Sequence, residues 1–169
     1  QLVDGYDFIA DVSSAGDGDG IDPDPTDEGE GSNVFRSGNF HGLHVAGTIG
    51  AGGNNGTGIA GVAYSSRIMP LRALDADGAG SVYDILQAVR YAAGLSNDSG
   101  TLPADRADVI NLSLGGGGYL QTARNLYEPV TDLGIIVAGA SGNDGASSVD
   151  YPGAYDGVFA VGATDAGNG

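Results

Sequence analysis

The sequence contains no cysteine, tryptophan or lysine, and it has only two histidines. The absence of cysteine excludes disulfide bonds and thiolate metal sites, although it does not identify the cellular compartment. Six arginines stand against 22 aspartates and glutamates, so the formal net charge is −16 at pH 7. Nucleic acids and anionic membrane surfaces both require a basic patch. We therefore expect neither as a partner, and the excess of carboxylates fits either calcium binding or a strongly solvated surface.

Long hydrophobic runs are also missing. No stretch approaches the roughly 18 apolar residues of a membrane-spanning helix, and the first residues do not resemble a signal peptide. Because Gln1 does not resemble an initiator, we expect a mature or trimmed chain. A chain of 169 residues can bury a sizeable core as one domain, 1–169, here with an acidic loop insert at 11–33. The 32 glycines follow no three-residue period and favour tight turns.

Strand-like and helix-like segments alternate along the chain after residue 41. This alternation predicts an α/β fold in which a parallel β-sheet is sandwiched by helices in three layers, incomplete at both ends. The runs at 109–114 and 135–140 are apolar on both faces, as buried parallel strands are. Ligands bind such sheets beyond the carboxyl ends of strands, which directs attention to 113–118 and 141–145. The predicted strands lie within 1–10, 65–74, 107–115, 134–143 and 157–164, and the predicted helices are 81–95, capped by Ser81, and 119–134, ended by Gly134.

Both histidines, His41 and His44, stand at the start of the segment HGLHVAGTIG. At a spacing of three they share one face of a helix. Three interpretations are open: a zinc site, a general base with a neighbour, or two residues held by local hydrogen bonds. A zinc site needs three or four protein ligands, so carboxylates would have to complete it. The small residues Gly42, Ala46 and Gly47 would let the helix start pack tightly against other backbone, which suits a rigidly held base.

Polar or glycine-rich residues follow two of the predicted strands. In SGNDG at 141–145, the amide of Asn143 could donate to a developing oxyanion, and the flanking glycines would admit a substrate backbone. The same residues are typical of a simple turn. The strand that ends in SLGG at 113–116 could pair with an extended peptide, or it could be only a strand and its turn.

The loop AGDGDGIDPDPTDEGE carries closely spaced carboxylates. They repel one another, so the folded loop must either solvate them or bind a hard cation, and calcium takes roughly six to eight oxygen ligands. The spacing does not fit an EF-hand. A structural calcium site and a solvated acidic loop both remain open. The candidate calcium ligands are Asp17, Asp19, Asp22 and Asp24.

Together these segments resemble the subtilisin-like serine proteases, the subtilases. HGLHVAGTIG is similar to the family's H-G-T-H-V-A-G-T-I block, ADVINLSLGG to D-V-I-N-x-S-L-G-G, and IIVAGASGNDG to the block that ends in G-N-E-G. YPGAYDGVFAVGATD resembles the strand beyond that block, and the acidic loop resembles an insert of secreted bacterial members. The blocks follow in the family's order between residues 36 and 166.

The resemblance implies a role for each matching residue. His41 matches the general base, Asn143 matches the donor to the oxyanion, and His44 would be structural. The implied activity is that of a secreted, extracellular serine endopeptidase that cleaves peptide or protein substrates through an acyl-enzyme, with calcium as a structural cofactor. Residues implied to bind substrate are Ser113, Leu114 and Gly115 on an edge strand, which line the specificity pocket together with Ala140, Ser141 and Gly142.

The sequence also departs from the family's pattern. The nucleophile block G-T-S-M-A-x-P does not occur, no D-T-G or D-S-G block precedes His41, and Leu43 stands where the family has threonine. We therefore expect a central fragment that is truncated at both ends and inactive by itself. One alternative is a non-catalytic, calcium-binding secreted module on a subtilase-like fold. Another is a zinc hydrolase built on His41 and His44.

Overall fold

The computed structural model describes residues 2–27, 40–164 and 167. Contacts between residues divide the chain into two compact units, Gln1–Asp105 and Arg106–Gly169. Each unit combines short parallel strands with helices, so the prediction of an α/β fold is confirmed. Over the described ranges, no helix is both long and apolar enough to cross a membrane.

The first unit is organised around a pair of short parallel strands. Tyr6 lies opposite Leu71 and Asp7 opposite Arg72. An antiparallel bridge joins Asp7 to Asp22, which brings the acidic loop beside the first strand. The elements of this unit are β1 (Tyr6–Asp7), α1 (Val12–Ala15), α2 (His41–Gly50), β2 (Leu71–Arg72) and α3 (Val82–Ala92).

Helix α3 supplies much of the core of the first unit. Ser81 caps the helix, since its hydroxyl accepts a hydrogen bond from Asp84 N at 3.0 Å. One face of the helix packs against β1, where the rings of Tyr91, Tyr6 and Phe8 have centroids 5.3, 5.4 and 5.5 Å apart. Phe8 is fully buried. The predicted helix and its cap are therefore confirmed.

The strand predicted within 65–74 is much shorter in the structure. Only the two residues of β2 pair as a strand. Pro70, directly before them, has no N–H to donate to a ladder. Its carbonyl still accepts a hydrogen bond from Tyr6 N at 3.1 Å. The proline therefore limits the strand without detaching this segment from β1.

The loop predicted at 11–33 contains one short helix, α1. It forms because the Asp11 carboxylate caps its start and accepts hydrogen bonds from the N–H groups of Ser13 and Ser14. Aspartate is among the most favourable residues at this position. Residues 28–33 of the predicted loop lie outside the described residues.

The second unit contains a three-stranded parallel sheet in the order β3-β4-β5. Ile110 and Val137 are buried on one face, where β4 contacts helix α4. The other face is open: Val109 is 56% exposed, Ile136 49% and Phe159 63%. Within the described part of this unit no element covers this face, so the prediction that both faces are buried is wrong there. The elements of this unit are β3 (Val109–Leu112), α4 (Gln121–Asp132), β4 (Ile136–Ala140) and β5 (Val158–Val161).

Candidate active site and acidic cluster

His41 is the first residue of helix α2. Phe40 precedes the helix with a φ of 40° and provides no side-chain cap, so the helix begins with backbone bonds such as that from His44 N to Phe40 O at 3.0 Å. Both histidines are exposed. Within the described ranges, neither histidine joins a cluster of three potential metal ligands. The imidazole at position 41 is therefore accessible, and the geometry gives the zinc interpretation no support.

Helix α2 makes its closest backbone contact at its carboxyl end and not at its start. A Cβ at Gly42 or Gly47 would meet no described atom outside the helix backbone within 4 Å, and no residue of α2 is buried. The prediction of a tightly packed helix start is therefore wrong at these two glycines. The close approach occurs at Gly61, where a Cβ would lie 2.5 Å from Ala51 N. The segment after the helix thus anchors the helix at its carboxyl end.

In the second unit, the carboxyl ends of β3 and β4 lie side by side. The strands are parallel, with Leu112 opposite Gly139, so the residues that follow them emerge at one edge of the sheet. Most residues of the segments at these strand ends, 113–115 and 140–142, are partly exposed. The structure therefore brings all six residues that were predicted to bind substrate to the same edge.

Asn143 lies in the exposed bend that follows β4. Gly142 precedes it with a φ of 104°, a conformation that glycine adopts without steric cost. Two backbone hydrogen bonds fix the base of the bend: Ser141 N donates to Val161 O at 3.0 Å, and Asp150 N donates to Ser141 O at 3.1 Å. Backbone hydrogen bonds thus anchor the bend, and the Asn143 amide is exposed. This arrangement is compatible with a donor to an oxyanion and also with a simple turn.

A cluster of charged residues lies in the first unit, where carboxylate oxygens of Asp7, Asp17 and Asp22 are within 4.8 Å of one another. The Nη1 atom of Arg72 lies 2.5 Å from Asp7 Oδ2 and 2.5 Å from Asp17 Oδ2, and Nη2 donates to Ala15 O. Asp7 is fully buried, and the Arg72 side chain is 8% exposed. The acidic cluster is thus three carboxylates with one arginine that neutralises part of their charge.

The pKa values of the acidic cluster reflect burial and neighbouring charge. Burial raises the pKa of Asp7, and a backbone hydrogen bond and the charge of Arg72 oppose it. Burial acts upward on Asp17 too, but hydrogen bonds from backbone N–H groups and the charge of Arg72 hold its pKa below the usual range. Contact with Asp22 raises the pKa of Asp19. Added positive charge beside the contact between Asp19 and Asp22 would therefore be stabilising.

The four predicted calcium ligands do not all occupy the same position. Asp17 and Asp22 belong to the acidic cluster, and Asp19 is hydrogen-bonded to Asp22 beside it. Asp24 instead accepts from Thr26, from the N–H at 3.0 Å and from the hydroxyl at 2.5 Å. A set of ligands made only of oxygen suits a hard cation such as calcium, so the carboxylates of the cluster fit this ion chemically.

Sequence reasoning missed Asp7 and Arg72 as members of the cluster. The available signal was one charged residue in each of two apolar segments, GYDFIA and PLRAL. Charged residues inside buried strands are almost always paired. The register of β1 and β2, which sets Asp7 opposite Arg72, supplies the partner that the sequence alone did not identify.

Several known proteins similar to this chain are proteases. A family model described as the subtilase family, Peptidase S8, matches residues 8–169. Over 97% of its length the chain is 40% identical to an extracellular protease of Xanthomonas campestris pv. campestris, of which it covers 30%. Over 98% of its length it is 40% identical to a thermophilic serine proteinase of a Bacillus species, of which it covers 34%. The chain spans about a third of the length of these curated relatives.

The fold has a solved counterpart. A structure of proteases from Pseudoalteromonas arctica matches with a TM-score of 0.88 and 39% identity, over 97% of this chain and 50% of that one. Since the family model covers all but the first seven residues, the chain belongs to the subtilase family.

Proposed function

We propose that the full-length protein is a secreted serine endopeptidase that cleaves peptide or protein substrates through an acyl-enzyme. One observation carries the proposal: the segments 113–115 and 140–142, which match the family's substrate-binding blocks, emerge side by side from parallel strands. Secretion is supported by the names of two relatives, an extracellular protease and an extracellular basic protease of Dichelobacter nodosus.

In this proposal His41 acts first as general base and then as general acid. A base has to lie within hydrogen-bond reach of its nucleophile, and the exposed start of α2 allows a serine to approach. His41 takes the proton of that serine during attack and returns it to the leaving amine. The family's nucleophile block does not occur in these 169 residues, so the serine is assigned to another part of the full-length protein.

The role proposed for Asn143 is stabilisation of the oxyanion. When the serine attacks, the carbonyl oxygen of the substrate gains negative charge, and a fixed amide donor aimed at this oxygen lowers the barrier. The bend that carries Asn143 is anchored by backbone hydrogen bonds and leaves the Asn143 side chain exposed. These features support a donor that needs little reorganisation during the reaction.

We assign 113–115 to binding of the substrate backbone. In the described sheet, β3 lies at the edge, and an edge strand presents N–H and C=O groups that an extended peptide can pair with. Glycines follow at 115–118, where the absence of side chains lets a peptide approach the backbone closely.

A fluorophosphonate probe, which reacts with activated serines, tests the enzymatic proposal. The full-length protein is expected to bind about one probe per molecule, because a serine activated by a base is the reactive group. The 169 residues expressed alone are expected to stay unlabelled, because they contain no match to the nucleophile block. An unlabelled full-length protein would support the non-catalytic calcium-binding module instead. Labelling of the isolated chain would show that it contains the nucleophile.

We also propose calcium as a structural cofactor of the acidic loop, bound through Asp17, Asp19 and Asp22. The support is electrostatic: Asp17 and Asp22 lie in one cluster, and contact with Asp22 raises the pKa of Asp19. A divalent cation would relieve the repulsion between these groups. Asp24, the fourth predicted ligand, accepts both hydrogen bonds from Thr26 on Oδ1, and no contact places it in the cluster of Asp7, Asp17 and Asp22 among the described residues.

Chelation of calcium is expected to lower the thermal midpoint and to increase proteolysis within 11–33. A ligand present at about a hundredfold its Kd stabilises the folded state by about 2.7 kcal/mol. Thermal unfolding with chelator, and again after calcium is restored, measures the effect. Asp22→Asn should abolish the response to calcium, whereas Asp132→Asn, an equal change of charge at an exposed position of the second unit, should preserve it. A midpoint that chelation leaves unchanged would contradict the site.

A further inference from the structure

Asp150 places a carboxylate beside both segments that are proposed to line the specificity pocket. A Cβ at Gly142 would lie 2.5 Å from Asp150 Oδ2, and a Cβ at Gly115 would lie 3.7 Å from the same oxygen. Gly115 follows β3 and Gly142 follows β4. One carboxylate oxygen is therefore close to the residues that leave two neighbouring strands.

Backbone hydrogen bonds fix Asp150 in this position. Its N–H donates to Ser141 O at 3.1 Å, and Gly116 N donates to the next carbonyl oxygen, Tyr151 O, at 3.1 Å. On the other side, Ala154 N donates to Asp150 O at 3.0 Å. The segment that carries the carboxylate is thus tied to the residues after β3 and to those after β4. Its position is set by backbone bonds that a change of the Asp150 side chain leaves intact.

The Asp150 carboxylate has no cationic partner among the residues that the structure describes. The chain contains no lysine, and the two arginines of the second unit are bound elsewhere: Arg106 donates to Leu133 O, and Arg124 to Glu128. Asp150 is nevertheless half-buried. A charge that is partly removed from water without a partner is unfavourable, and an arriving ammonium or guanidinium group would compensate it.

We propose that Asp150 selects substrates with lysine or arginine at P1. P1 is the residue on the acyl side of the scissile bond, whose side chain enters this pocket. The inference rests on the proposed endopeptidase function. Gly115 and Gly142 place no side chain of their own beside the carboxylate, which leaves room there for the end of a long basic side chain. Arginine can bind a carboxylate through two parallel hydrogen bonds, and lysine binds it as a point charge.

The test uses the full-length protein and two peptide substrates that differ only at this residue, arginine in one and leucine in the other. The wild type is expected to favour the arginine substrate in kcat/KM. Loss of a hydrogen bond to a charged group changes an affinity or a kcat/KM ratio by about ten- to hundredfold. Asp150→Asn should reduce the preference for arginine by that factor, while hydrolysis of the leucine substrate is retained. Asp144→Asn, the same change at an exposed position of the neighbouring bend, should leave the preference unaltered.

The outcomes separate this inference from the proposed function. If the wild type hydrolyses no peptide and binds no fluorophosphonate, both are refuted. If it hydrolyses peptides and Asp150→Asn changes the preference no more than Asp144→Asn does, only the role of Asp150 is refuted. Should Asp150→Asn be inactive on both substrates, inhibition of the wild type decides: benzamidine, an amidinium ion, should inhibit at least tenfold better than uncharged benzamide, and equal inhibition would overturn the inference.

Discussion

Replacement of His41 by alanine in the full-length protein is expected to lower kcat by about a millionfold, the loss that removal of the corresponding histidine causes in subtilisin, a member of this family. Without a base the serine keeps its proton and is a weak nucleophile. Binding of the peptide should change little, because His41 is assigned to proton transfer and not to holding the substrate. Steady-state hydrolysis of a chromogenic peptide measures kcat and KM separately, and fluorophosphonate labelling should slow in parallel.

His44→Ala is the matched control for this substitution. The two histidines are three residues apart on helix α2, and both are exposed, so both changes remove the same side chain from the same helix. The His44 carbonyl, which accepts from the Thr48 hydroxyl at 3.0 Å, is retained in the variant. Most activity should therefore survive in His44→Ala. Equal losses in both variants, with unchanged circular dichroism, would show that the helix and not a base at position 41 is required.

The sequence located helix α2 but not its packing. A motif such as HGLHVAGTIG identifies chemistry because catalysis demands particular side chains at fixed spacing. Small residues carry less information, since a glycine permits close contact without specifying which neighbour makes it. Among the described residues, Gly42 and Gly47 have open space beside them, whereas Gly61, eleven residues beyond the end of the helix, makes the close contact with Ala51. Contacts of this kind depend on the path of the following loop.

Local signals were likewise sufficient for helices α3 and α4 but not for the short helix α1 or for the burial of the sheet. The cap at Ser81 and the apolar periodicity of α3 act within a few residues, and both were predictable. Apolar residues on both faces of β3 and β4 show only that both faces of these strands can be buried. A face is buried only where another helix or strand packs on it. In the described part of the second unit none does so, and Val109 and Ile136 remain about half exposed. Such coverage is a property of the tertiary structure.

Replacement of Arg72 by methionine is expected to lower the free energy of unfolding by about 3–5 kcal/mol, because it leaves a buried carboxylate without its partner. Asp7 is fully buried and Arg72 lies 2.5 Å from it. Urea denaturation at neutral pH measures the loss. Arg67→Met is the control: Arg67 and Asp105 form an ion pair with side chains 64% and 67% exposed, and the loss of such an exposed pair costs about 0.2–1 kcal/mol. Similar losses in the two variants would contradict the special role of the Asp7–Arg72 pair.

The same pair predicts how this loss depends on pH. Burial raises the pKa of Asp7 above its unfolded value of 3.8, so between these two values the folded state binds more protons than the unfolded state. The contribution of Asp7 to stability is therefore greatest below 3.8 and decreases as pH rises through the folded pKa. Arg72→Met removes an opposing positive charge and raises that pKa further. The deficit of the variant relative to the wild type should consequently shrink as the pH falls from neutral toward 3.8 and Asp7 takes up a proton. In the double variant Asp7→Asn, Arg72→Met, only Asp17 still loses its cationic partner, so the deficit should depend less on pH than in the single variant. A pH dependence equal to that of the single variant would assign the effect to a group other than Asp7.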